Sequence, residues 1–144
     1  MHTVYLSLGS NEGNRRRYLT RAIEEIGKLI GTVECQSAFY ETEPWGFESA
    51  HLFLNACVRV ATELSPRELL ETTQQIERDL GRRKKSSASF LLSLASKHYS
   101  DRPIDIDILL YDDLTVDEPD LKIPHPLMYE RDFVMIPLKE ILHK

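Results

Sequence analysis

Apolar and polar residues alternate with period two along several stretches, and recur every three to four residues along others. The first periodicity is a strand's and the second a helix's. Residues 3–9 alternate Val4, Leu6 and Leu8 against Tyr5, Ser7 and Gly9, which predicts a first strand. The small and polar residues 9–14 form a turn. They lead into a helix over 15–30, with Leu19, Ala22, Ile23, Ile26 and Ile30 as its apolar stripe and Gly31 as its terminator. A second strand is predicted over 32–43 and a third over 52–63, where Leu52, Leu54, Ala56, Val58 and Val60 back onto Phe53, Asn55, Cys57 and Arg59. Ser65, Pro66 and Glu68 spell a capping box with proline at the first helical position. The helix they open runs to about residue 80, with Leu69, Thr73, Ile76 and Leu80 inward and Gly81 as its stop. Residues 101–111 alternate isoleucine with aspartate as a fourth strand. After a turn at Asp112-Asp113, residues 114–116 form a short extra strand and 117–123 an extended segment. A last helix over 131–142 is interrupted near Pro137.

The order is β-α-β-β-α-β with a C-terminal extension, the ferredoxin-like split unit of the α/β (α+β) class. This predicts one domain over residues 1–144. Two helices cover one face of a four-stranded antiparallel sheet. Ser7, Tyr40, Phe53, Asn55, Asp105 and Asp107 share the other face.

Composition narrows the function. A net charge of −5 argues against a general nucleic-acid binder. No apolar run approaches membrane-spanning length, no leader pattern opens the chain, and two cysteines make neither a disulfide framework nor a zinc set. The expectation is a reduced cytoplasmic protein, acting as a monomer on small molecules.

The chemistry centres on Asp105 and Asp107. Two residues apart on a strand, they point the same way with Cα atoms about 6.5 Å apart. Carboxylates about 5 Å apart repel by about 3 kcal/mol at an effective dielectric of about 20. Water, a shared proton or a cation would relieve that, and spacing alone leaves a solvated strand face and a metal site equally open. Arg82, Arg83, Lys84, Lys85 and Arg102 flank the same strand. Cations beside a carboxylate–metal pair suit a polyphosphate. Asn55 can read the edge of a heterocycle, and Phe53 beside it can stack on the ring. Gly9-Ser10-Asn11 reads as a strand-to-helix turn rather than a phosphate loop. His125 is held between two prolines, as a donor or a packing group. Gln74 and Glu77 share a helix face, where surface solubility is the plain role. No arrangement for a Ser or Cys nucleophile is present.

Several short motifs then add up. Leu8-Gly9-Ser10-Asn11, Ser37-Ala38-Phe39-Tyr40-Glu41-Thr42-Glu43-Pro44, Phe53-Leu54-Asn55-Ala56, Gln74-Gln75-Ile76-Glu77, Leu80-Gly81-Arg82, Arg102-Pro103-Ile104-Asp105-Ile106-Asp107-Ile108, Pro124-His125-Pro126 and Arg131-Asp132-Phe133 occur in one order across almost the whole chain. Together they resemble the 6-hydroxymethyl-7,8-dihydropterin pyrophosphokinases of folate biosynthesis. The resemblance implies transfer of pyrophosphate from ATP to the pterin's hydroxymethyl oxygen, releasing AMP. It implies two Mg²⁺ ions on Asp105 and Asp107. Pterin contacts fall on Asn55, Phe53, Phe133 and the backbone near Thr42, Pro44 and Gly46. Nucleotide contacts fall on Gln74, Glu77, Ile108 and His125. It gives Arg82 and Arg102 a catalytic part on the phosphates, with Lys84 and Arg131 beside them.

The resemblance is looser in the stretch between Arg82 and Arg102, which is longer than in many members and reads as a mobile lid. Tyr99, Asp120 and Pro126 also depart from common family residues. Two other readings compete: another two-metal phosphoryl- or nucleotidyl-transfer enzyme on the same fold, or a non-catalytic ligand-sensing module, which would need neither an acid pair beside arginine nor a basic lid and is disfavoured by the sequence.

Overall fold

The structure is a computed structural model and describes residues 1–43, 52–81 and 103–143. Its elements in order are β1 (His2–Ser10), α1 (Arg15–Leu29), β2 (Gly31–Gln36), β3 (Tyr40–Thr42), β4 (Phe53–Thr62), α2 (Pro66–Asp79), β5 (Asp105–Tyr111), β6 (Val116–Glu118), β7 (Leu121–Ile123), a 3-10 turn (Met128–Glu130) and α3 (Asp132–Ile141). The main sheet runs β2-β4-β1-β5, with β3 also on β4, and its pairs are antiparallel.

The alternating residues face where their period predicts. Val4, Leu6, Leu8, Leu54, Ala56, Val58, Val60, Ile104, Ile106 and Ile108 form one buried cluster with Leu19, Ala22 and Ile26 of α1 and Leu69 and Ile76 of α2. The α2 capping box is complete: Glu68 N–H donates to Ser65 Oγ, and Ser65 N–H donates to Glu68 Oε1. Gly81 ends this helix at φ 103°, where a residue with a side chain would be strained.

Four expectations change. The strand expected over 32–43 is two strands laid along one edge of β4. Ser37 breaks it, because its Oγ accepts the Cys57 N–H at 2.9 Å in place of a backbone carbonyl. Gly31 does not terminate α1 through a left-handed turn; it opens β2. A Cβ there would lie 1.9 Å from Ala61 O, so its need for glycine is close strand approach. Residues 116–123 form a hairpin, β6 on β7, rather than a short strand and an extended segment.

The fourth change matters most for function. The second sheet face is not open along its length. Helix α3 runs through Pro137 without interruption and packs Val134, Leu138 and Ile141 against Cys57 and Leu109. A proline inside a helix costs about 3 kcal/mol or more. Burial of these apolar side chains, about 1.5–3 kcal/mol each, offsets that. Leu109 reaches this side because the β1–β5 register slips between Tyr5 and Leu6, leaving it as the extra residue. Tyr40 Oη and Ala38 N–H both donate to the Glu140 carboxylate, which fixes the end of α3 to the sheet edge. Among the described residues, α3 leaves the end of the sheet near Asn55 and Asp105 for a ligand.

Candidate active site

Strand register assembles the site in rows. Tyr40 pairs with Asn55, Asn55 with Gly9, and Gly9 with Asp105. Cross-strand partners point to the same side, so these residues form one row across four strands. The row behind it is Cys57, Ser7 and Asp107; the one in front is Thr42 with Phe53. Two strand spacings, about 9.5 Å, separate Asn55 from Asp105 across the gap that Gly9 leaves.

On the Asn55 side the contacts are buried and mostly uncharged. Asn55 is 2% exposed and its Nδ2 donates to Thr42 Oγ1 at 2.6 Å. With Nδ2 on Thr42, Oδ1 lies over Gly9. A Cβ at Gly9 would meet Asn55 Oδ1 at 3.0 Å and Phe53 Cδ1 at 3.5 Å. The missing side chain is therefore what keeps this end of the sheet hollow. Phe133 lies in the first turn of α3, partly buried against the Cys57–Leu109 cluster. The Arg131 guanidinium sits 5.6 Å from the centre of its ring, a cation–π contact. Arg131 is 2% exposed, and burial lowers its pKa to about 10, so it still carries its charge at neutral pH.

On the Asp107 side lies a narrow cleft between α2, β5 and the β6–β7 hairpin. Gln74, Glu77, Ile108 and His125 all line it, together with Asp107. Glu77 is buried rather than solvated, against the plain solubility role. Its Oε2 accepts the N–H of Ile106 at 2.8 Å, between the two aspartates. The outer edge of β5 is thereby held by α2. Leu127 N–H donates to His125 Nδ1 at 3.3 Å, so the neutral ring keeps its proton on Nε2 as a donor.

Asp105 and Asp107 are half-buried, one in each of two successive rows. Among the described residues no group of three or more His, Cys, Asp or Glu side chains could hold a metal ion. A pair of carboxylates at a sheet end still suits Mg²⁺, which takes one or two carboxylates and completes its shell with water and phosphate oxygens. Burial pushes the neighbouring Cys57 thiol up to about 12, which rules it out as a nucleophile.

Of the residues singled out in the sequence, Thr42, Phe53, Asn55, Asp105 and Asp107 come together through register, and Gln74, Glu77, Asp107, Ile108 and His125 through the cleft. Arg131 and Phe133 touch each other at the start of α3. Pro44, Gly46, Arg82, Lys84, Arg102 and the expected lid lie outside the described residues. Three features were not singled out. The Thr42 side chain, rather than only its backbone, positions Asn55. Gly9 matters as an absence of bulk. Lys122 and Thr73 also line the cleft. The Gly9 signal was available, since a lone glycine in an alternating strand marks close approach of something else.

Comparison with known proteins agrees with this geometry. Residues 5–143 match the family model described as 7,8-dihydro-6-hydroxymethylpterin-pyrophosphokinase. The 2-amino-4-hydroxy-6-hydroxymethyldihydropteridine pyrophosphokinase of Porphyromonas gingivalis is 50% identical over 142 residues, covering 98% of this chain and 91% of that protein. The protein of the same name from Aquifex aeolicus is 40% identical over 141 residues, covering 98% and 81%. The solved structure of wild-type HPPK-DHPS from Plasmodium falciparum superposes with a TM-score of 0.70 at 16% identity, a likeness of fold. It covers 96% of this chain and 40% of that longer one.

Proposed function

Because the chain belongs to the 7,8-dihydro-6-hydroxymethylpterin-pyrophosphokinase family, we propose that the two sides of its sheet end hold the two substrates of that reaction. The activity is the pyrophosphokinase step of folate biosynthesis, in which ATP and 6-hydroxymethyl-7,8-dihydropterin give AMP and the pterin diphosphate. The pterin lies on the Gly9 side. Asn55 reads its edge with Oδ1 and the remaining N–H, Phe53 and Phe133 cover its faces, and backbone groups near Thr42, Pro44 and Gly46 complete the pocket. Its hydroxymethyl arm points along the row toward Asp105.

The nucleotide enters the cleft, against Gln74, Glu77, Ile108 and His125. Asp105 and Asp107 would hold two Mg²⁺ ions, which would supply positive charge to the phosphates. Arg82, Lys84, Arg102 and Arg131 supply the remaining positive charge. The pterin oxygen attacks the β-phosphorus; that O–P bond forms as the bond to the α–β bridging oxygen breaks, and AMP leaves. The protein's part is positioning and charge neutralisation. The strand order supports the ferredoxin-like assignment, and the whole chain is read as one domain, monomeric in solution.

One observation carries the assignment of sites. Asp107 stands both in the row behind Asn55 and Asp105 and in the wall of the cleft that collects Gln74, Glu77, Ile108 and His125. The test is to incubate the protein with MgATP and the pterin and identify the nucleotide produced. AMP with pterin diphosphate is expected, and ADP or free pyrophosphate overturns the reading. Asn55→Ala should raise the pterin KM, and His125→Ala the ATP KM. Crossed effects would reassign the two sides.

A further inference from the structure

The cleft has one wall of the wrong sign for a polyanion. The β6–β7 hairpin, residues 116–123, carries Asp117, Glu118 and Asp120 against Lys122 alone, a net charge of −2. Asp120 and Lys122 both line the cleft. Every one of these acids is nonetheless matched to a cation. Lys122 Nζ takes Asp117 within the hairpin. Arg67, from the first turn of α2, takes the other two at once: Nη1 donates to Asp120 Oδ2 at 2.7 Å and Nη2 to Glu118 Oε1.

Helix stability does not account for Arg67, because a cation in the first turn opposes the helix dipole. Its fork geometry does: one guanidinium can grip two carboxylates where an ammonium is a point charge. Consistent with this, the Asp120 carboxyl is held below its ordinary range, chiefly by the Arg67 hydrogen bond. It is ionised at neutral pH, and its charge must be answered before a nucleotide is admitted.

We propose that Arg67 is a positioning residue for the nucleotide, acting through Asp120: it neutralises the acidic hairpin and fixes it to α2 as a wall that a polyphosphate can approach. This rests on the reading of the cleft as the nucleotide site. No role for Arg67 in the transfer itself is needed, and its guanidinium stays on the hairpin when nucleotide binds.

Full-length wild type, Arg67→Met, Arg67→Met/Asp120→Asn and His125→Ala are compared. The readouts are the KM for ATP, the KM for the pterin, and the calorimetric Kd for a non-hydrolysable ATP analogue with Mg²⁺. Arg67→Met is expected to raise the ATP KM and the analogue Kd about fivefold, the upper range for one exposed charge pair. The pterin KM should stay unchanged. The double variant should recover most of that loss, because of Arg67's two partners Asp120 is the one that lines the cleft. An unchanged Kd in Arg67→Met overturns the inference, and so does a double variant no better than the single one, which would mean direct contact with the nucleotide or anchoring of the hairpin with no part for Asp120's charge. If His125→Ala weakens nucleotide binding while Arg67→Met does not, only the inference fails. If neither weakens it, the cleft reading fails as well.

Discussion

The two sides of the sheet end solve different problems. Around Asn55 the contacts are buried, short and built on the central strands β1 and β4. Around the cleft they are partly exposed, ionic, and built on the edge strand β5 and a hairpin pinned by Arg67. A flat, uncharged heterocycle gains little from net charge. It is told apart by a hollow of fixed shape and by buried hydrogen-bonding groups that are costly to leave unmade. A polyphosphate is held by charge and by metal ions, which tolerate looser geometry. On the proposed reading, buried contacts are concentrated where the ring is recognised, and charge where phosphate binds.

The row that joins the two sides can be broken at its most sensitive point. Asp105→Ala and Asp107→Ala should each lower kcat by on the order of 10³-fold, since charge stabilisation in a fixed site is usually the largest catalytic contribution. Circular dichroism should show the fold intact, because both side chains point away from the helix-covered core. Near-normal turnover in either variant would remove the aspartates from the reaction.

Next in size are changes to the hollow. Gly9→Ala puts a Cβ 3.0 Å from Asn55 Oδ1, so either the amide shifts or the ring is displaced. Pterin KM should rise on the order of tenfold, with the ATP KM little moved, as expected for losing about one hydrogen bond made by a buried group. A matching rise in both KM values would mean that the strand itself had been disturbed. Thr42→Val keeps the shape but takes away the acceptor for Asn55 Nδ2. A smaller rise of about threefold to fivefold in pterin KM is expected, within the net worth of one hydrogen bond. Thr42→Ser should behave as wild type; if it matches Thr42→Val instead, the hydroxyl is not what orients Asn55.

These contrasts also mark what the chain discloses before it is folded. The alternation of Ile104, Ile106 and Ile108 with Asp105 and Asp107 fixes which side the acids face, because strand period leaves no other choice. The capping box at Ser65 is equally local and equally plain. Helix α3 departs from the expected interruption because a proline rule is local, whereas what overrides it, the packing of Val134, Leu138 and Ile141 on Cys57 and Leu109, is tertiary. The same holds for Glu77. Its spacing from Gln74 says surface, and only the approach of β5 shows a buried carboxylate gripping the Ile106 N–H. Ser37 broke a strand through a side-chain bond that no alternation pattern encodes. Motif resemblance grouped Gln74, Glu77, Ile108 and His125, which line one cleft and which periodicity does not connect, and it passed over Arg67, whose partners lie about fifty positions further along the chain.

The smallest expected effect is the most direct measure of the contrast between the two sides. Raising ionic strength from about 0.1 M to 1 M shortens the screening length from about 10 Å to 3 Å. The pairs framing the cleft, Arg67 with Asp120 and Lys122 with Asp117, are partly exposed and feel that change. The Asn55–Thr42 bond is part-buried and neutral on both ends, so it does not. Across that salt range the Kd of the nucleotide analogue should rise by about threefold, the scale of one screened surface pair. The pterin Kd, measured without nucleotide, should stay level or tighten slightly as salt strengthens apolar burial. Should both weaken in parallel, the ring site depends on charge after all. Arg131, buried yet still ionised beside Phe133, would then be the residue to test first, since its guanidinium sits over that ring.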